Sequence, residues 1–123
     1  MKRICTRTHG TLDYIWGTVL IASPWLFDFV TYDSIMWVPV LYGGFVFIYS
    51  FFTTYERGGI ADITMKTHLW LDRTGGIFVM LSPWLFGFAQ TIYVPHLLLG
   101  LSGLAISLIT ERTPESAPHR IPV

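Results

Sequence analysis

The sequence predicts an all-α integral membrane protein, a four-helix bundle made of two tandem helical hairpins forming one membrane domain over residues 1–123. Three observations point there. The composition is 52% hydrophobic and 16% aromatic but 13% charged, about half the roughly 25% charge of an average soluble domain. Asp, Glu, Lys and Arg are absent from Ser34 to Tyr55 and again from Thr74 to Thr110. The chain also repeats itself with a period of 59 residues.

The second uncharged stretch is 37 residues long, enough for two spans and a turn when a bilayer core of about 30 Å takes about 20 helical residues. Gly87, Gln90, Tyr93 and Pro95 mark that turn with breaker and interface residues. Four helices are expected, at about 9–27, 37–55, 67–87 and 94–111. Pro39 and Pro95 are placed near the starts of the second and fourth, where a missing N–H costs little.

Orientation comes from the cations. Lys2, Arg3, Arg7, Arg57, Lys66, Arg73, Arg112 and Arg120 all lie in the two terminal segments or the middle connection. Short cytoplasmic loops carry the Lys and Arg excess, so both termini are expected in the cytoplasm. Met1 to Arg7 is basic like the start of a signal peptide, but His9 and Asp13 interrupt the stretch beyond Arg7, and the segment reads as a retained first helix. Residues 113–123, with His119, read as a flexible tail. Eight basic residues balance eight acidic ones, which disfavours nucleic-acid binding. The single cysteine, Cys5, can form neither an internal disulfide nor a Cys-rich metal site.

Sliding the chain by 59 residues aligns His9 with His68, Leu12 with Leu71, Asp13 with Asp72, Gly17 with Gly76, Ser23-Pro24-Trp25-Leu26-Phe27 with Ser82-Pro83-Trp84-Leu85-Phe86, and Phe29 with Phe88. Further on, with a three-residue gap, Pro39 matches Pro95, Gly44 matches Gly100 and Thr54 matches Thr110. Repeat 1 covers about 9–56 and repeat 2 about 68–112. Two-span units enter from the same side, so a pseudo-two-fold axis along the membrane normal should relate them. On its tandem Ser-Pro-Trp elements the chain resembles the SPW-repeat family of small bacterial integral membrane proteins. That resemblance implies a Ser-Pro-Trp motif in the first of two transmembrane helices per repeat and a home in the bacterial inner membrane; it implies no reaction.

Two repeated constellations are candidates for function. Ser23-Pro24-Trp25 and Ser82-Pro83-Trp84 read as a wedge that kinks or ends a helix, with the tryptophan anchoring at the headgroups; the sharper alternative is a paired gate exposing backbone to a small ligand. His9 with Asp13 and His68 with Asp72 stand at i and i+4, one helical face each. A carboxylate inside a bilayer needs a partner, and Arg7, Arg57, Arg73 and Arg112 are the nearby cations, so interhelical Asp to Arg or His bonds are expected to lock the first and third helices to the ends of the second and fourth. The alternatives are a divalent metal on the two imidazoles and two carboxylates, or a haem iron or proton transfer at His9 and His68. Gly17, Gly76, Gly44, Gly100 and Gly103 should let helices approach closely, and His96 reads as an interface residue. No nucleophile stands with a base, which favours a non-enzymatic scaffold, accessory subunit or small binding protein, self-associating or part of a larger membrane complex. The competing class is a redox, metal-binding or transport protein.

Overall fold

The chain runs as α1 (Thr6–Leu26), α2 (Asp33–Phe51), α3 (Met65–Leu85) and α4 (Val94–Leu108) in a computed structural model that describes residues 3–53 and 63–112. The all-α, four-helix expectation is met. Arg57, Thr54 and the expected tail at 113–123 lie outside the described residues. Helix α1 packs along α2 and α3 along α4, with thinner contact between α2 and α3 and between α1 and α4. Two hairpins therefore stand side by side. At one end they are tied by isolated parallel bridges, Ile4 to Thr110 and Thr53 to Ile63, so the residues leading into α1 and α3 meet the ends of α4 and α2.

The repeat is legible in the helices. Helices α1 and α3 have 21 residues each and occupy identical places in the 59-residue period. Helix α2 departs from expectation by starting at Asp33 rather than near 37, which puts Pro39 inside the helix instead of at its start. The reason is a substitute donor. Proline at 39 cannot supply the N–H that the Ile35 carbonyl would accept four residues on. His96 Nε2 lies 3.2 Å from that carbonyl and, facing an acceptor, donates to it. His96 is thus a fully buried core residue lying between the rings of Phe29 and Phe88, which corrects its reading as an interface residue.

Glycines set the spacing within each hairpin. A Cβ at Gly43 would come within 2.8 Å of the Gly17 carbonyl oxygen, and one at Gly100 would collide with the Gly76 carbonyl and the Met80 backbone. The backbones of α1 and α2, and of α3 and α4, therefore touch at these crossings. Gly44, expected in this role, has nothing within 4 Å of its Cβ position. The register of the second helices explains the correction: Gly43, not Gly44, is the partner position of Gly100. Gly103 lies under the Trp16 indole, where a Cβ would sit 3.1 Å from Nε1.

Polar side chains share the interior with an apolar core of Leu20, Val46, Tyr49, Val79 and Leu99, and large apolar side chains cover the outside. Thr6, His9, Asp13, Ser23, Ser50, Thr53, His68, Asp72, Ser82, His96, Ser107 and Thr110 are buried, while Ile15, Leu26, Leu41, Ile48, Leu81, Leu98 and Leu101 are exposed. Helix α2 is the one described helix long and apolar enough to cross a membrane by length and composition; α4 is apolar but shorter. Helices α1 and α3 carry Arg7, Asp13, Lys66, Asp72 and Arg73, which lowers their apolar character below that of α2.

Candidate functional site: a closed His–Asp cluster between the hairpins

His9 and Asp13 stand one turn apart on α1, and His68 and Asp72 one turn apart on α3, so each helix presents an imidazole and a carboxylate on one face. The two faces meet. His9 Nε2 lies 3.1 Å from Asp13 Oδ1 and 2.9 Å from Asp72 Oδ2. His68 Nε2 lies 3.0 Å from Asp13 Oδ2 and 3.3 Å from Asp72 Oδ2. Each imidazole therefore touches the carboxylate of its own helix and that of the other. All four residues are buried, and the rings of His9 and His68 meet edge to face with centroids 5.4 Å apart.

The outer nitrogens are fixed by threonines from the other two helix ends. Thr110 Oγ1 donates to the Ile106 carbonyl at 2.6 Å, and Thr53 Oγ1 donates to the Tyr49 carbonyl at 2.6 Å. With their hydrogens committed, these hydroxyls accept from His9 Nδ1 at 2.7 Å and from His68 Nδ1 at 2.8 Å. Both imidazoles therefore carry a proton on Nδ1, and each Nε2, facing carboxylate oxygens, donates a second one to them. Tyr49 adds a further bond, its hydroxyl donating to Asp72 Oδ1 at 2.5 Å. All four helices thus contribute to one centre.

Among the described residues the histidines fill the role expected of an Arg or His partner for the carboxylates. Arg73 instead donates from Nη2 to the Ser107 carbonyl at 3.3 Å, where a cation suits the negative end of α4. Arg112 is exposed and borders a cavity of about 380 Å³ shared with Lys66, Thr67, Leu69, Trp70 and Arg73. Arg7 is exposed at the start of α1. The void beside the quartet holds only about 10 Å³, so a haem between His9 and His68 has no room. Sequence reasoning missed Thr53, Thr110 and Tyr49. The signal lay in the repeat: matching Thr53, rather than Thr54, to Thr110 places one hydroxyl beside each histidine.

A family model described as the SPW repeat domain matches residues 7–110. The chain belongs to this family. No curated protein and no solved structure matches it.

The SPW repeat's signature tripeptide is a helix terminator that satisfies its own backbone. Pro24 and Pro83 leave the carbonyls of Leu20 and Val79 without their usual donors. The preceding serines take them up, Ser23 Oγ at 2.8 Å and Ser82 Oγ at 2.7 Å. Beyond the motif, Phe29 N–H bonds the Pro24 carbonyl and Phe88 N–H the Pro83 carbonyl, each at 2.8 Å, around a left-handed residue, Asp28 (φ 57°) or Gly87 (φ 74°). This is the Schellman ending of a helix. The Pro24 and Pro83 carbonyls and those freed at Leu20 and Val79 are all bonded within the chain, which removes the basis for a gate at these positions. Trp25 and Trp84 point outward, 61% and 53% exposed.

The SPW geometry can be tested at two positions. Ser82→Ala strands the buried Val79 carbonyl and should lower stability by about 1–3 kcal/mol, read as a lower unfolding temperature in detergent. Asp28→Gly, which gives the left-handed position of the first repeat the residue the second already has, should raise it by up to about 1 kcal/mol in the same assay.

Proposed function

We propose that this chain is a non-enzymatic four-span protein of the bacterial inner membrane, a small binding or accessory subunit whose hairpins are joined by the His–Asp cluster. The observation that carries this reading is the inverted polarity. Water-soluble proteins keep ion pairs at the surface and large apolar side chains inside. Here the ion pairs are buried, and Ile15, Leu41, Ile48, Leu81 and Leu98 face out along four helices. Lipid suits such a surface, and the cluster suits such an interior, since charged groups within a bilayer face the bundle and pair with one another.

In this arrangement the two hairpins enter from the same side and are related by a pseudo-two-fold axis along the membrane normal, with both ends of the chain in the cytoplasm. The helix ends nearest the cluster, with Lys66, Arg73 and Arg112, then face the cytoplasm, and Trp25, Trp84 and Tyr93 lie at the outer headgroups. The turns at Asp28 to Tyr32 and Gly87 to Tyr93 are periplasmic. The bilayer is the principal partner; a second copy or a larger membrane complex is the further one, reached through the exposed apolar faces.

Reporter fusions test the scheme. Alkaline phosphatase inserted in the Asp28 to Tyr32 turn should be active, and the same enzyme fused after Val123 inactive, while a fluorescent protein fused there should glow. The opposite pattern, or a chain that stays dispersed in buffer without detergent, overturns it.

A further inference from the structure

We propose that His9, Asp13, His68 and Asp72 form a binding site for one divalent first-row transition ion, with zinc the best match. The proposal rests on the reading of the chain as a membrane binding protein and names the ligand of its central site. Four potential ligand atoms, one from each residue, lie within 4.8 Å of one another and are buried. A tetrahedral zinc with ligands at about 2.0–2.1 Å holds them about 3.3 Å apart. Asp72 Oδ2 lies 2.9 and 3.3 Å from the two Nε2 atoms, close to that spacing, while Asp13 meets His9 through Oδ1 at 3.1 Å and His68 through Oδ2 at 3.0 Å and would turn a single oxygen inward to admit the ion.

The surroundings are those of a coordination centre. A ligating imidazole turns one nitrogen to the metal and donates the other N–H to a fixed acceptor, which sets its tautomer and aim. His9 does this through Thr110, and His68 through Thr53. A ligating carboxylate is likewise held by a hydrogen bond to its second oxygen, as Tyr49 holds Asp72 Oδ1. These outer bonds come from α2 and the end of α4, which supply none of the four ligands.

Charge and donor type narrow the ion. Two carboxylates balance one divalent cation, which takes the place of any protons on the two Nε2 atoms. Two imidazole nitrogens with carboxylate oxygens suit zinc or its neighbours; calcium and magnesium require six or more oxygens, and copper(I) prefers sulfur. The side chains of Asp13 and Asp72 keep 8% and 9% exposure, so the centre is reached past its carboxylates.

Cobalt(II), a coloured stand-in for zinc, gives the test. Full-length protein in detergent, stripped by a chelator, should take up one equivalent of Co²⁺ with the visible bands of a tetrahedral site, bleached by Zn²⁺. His68→Ala should abolish the bands. Should that variant fail to fold, Thr110→Val leaves all four ligands in place and should weaken affinity about 10–100-fold. Stripped wild-type protein that shows the helical circular dichroism of the fold yet takes up neither ion overturns the proposal, as does cobalt binding indifferent to Thr110→Val. The topology fusions separate the two readings. A correctly inserted protein without the ion removes only the metal; a cobalt-binding chain that needs no detergent removes only the membrane.

Discussion

Asp72→Ala is expected to lower the free energy of unfolding in detergent by about 3–5 kcal/mol, the cost of breaking a buried ion pair and leaving its partner behind. The carboxylate accepts from His9, His68 and Tyr49, groups on three different helices, and its removal leaves two buried imidazoles sharing Asp13. Asp72→Asn, which keeps the shape and loses the charge, should fall between wild type and the alanine variant. Thermal unfolding monitored by helical circular dichroism measures both. A loss below about 1 kcal/mol in the alanine variant, the level of an exposed ion pair, would show that the quartet does not join the hairpins.

Gly100→Ala should cost about 1–3 kcal/mol, because the added methyl meets backbone that cannot swing aside, the Gly76 carbonyl and Met80. The neighbouring test is its opposite. At Gly44 the Cβ position is open, so Gly44→Ala should leave stability unchanged or raise it by about 0.5–1 kcal/mol through reduced backbone freedom in the unfolded chain. Similar losses in the two variants would mean that the hairpin crossings are not where the structure puts them.

The helices were legible in the sequence because their causes are local. Charge gaps bounded the apolar stretches, and the Ser-Pro-Trp elements ended α1 and α3 where Pro24 and Pro83 break the ladder. The start of α2 was not, since it depends on a donor 61 residues away: His96 fills the Ile35 carbonyl that Pro39 leaves open, and no local pattern announces that bond. In the site, the i, i+4 spacing and the repeat identified His9, Asp13, His68 and Asp72, which the fold brings together. Their threonine and tyrosine partners escaped because they come from α2 and the ends of α2 and α4, where identities are sparse and the alignment slips by one residue at Thr54. Tyr49 has no counterpart to find. The same register places Ile106 opposite it in the second repeat.

The bonds of the quartet cross between repeats as well as within them: His9 reaches Asp72, and His68 reaches Asp13. A lone hairpin would hold one imidazole and one carboxylate, half a centre, and could complete it only by meeting a second molecule in the plane of the bilayer. Covalent fusion in tandem makes that encounter intramolecular, so assembly no longer depends on expression level. It also releases the two halves from identity, which is what permits a tyrosine on one side and an isoleucine on the other.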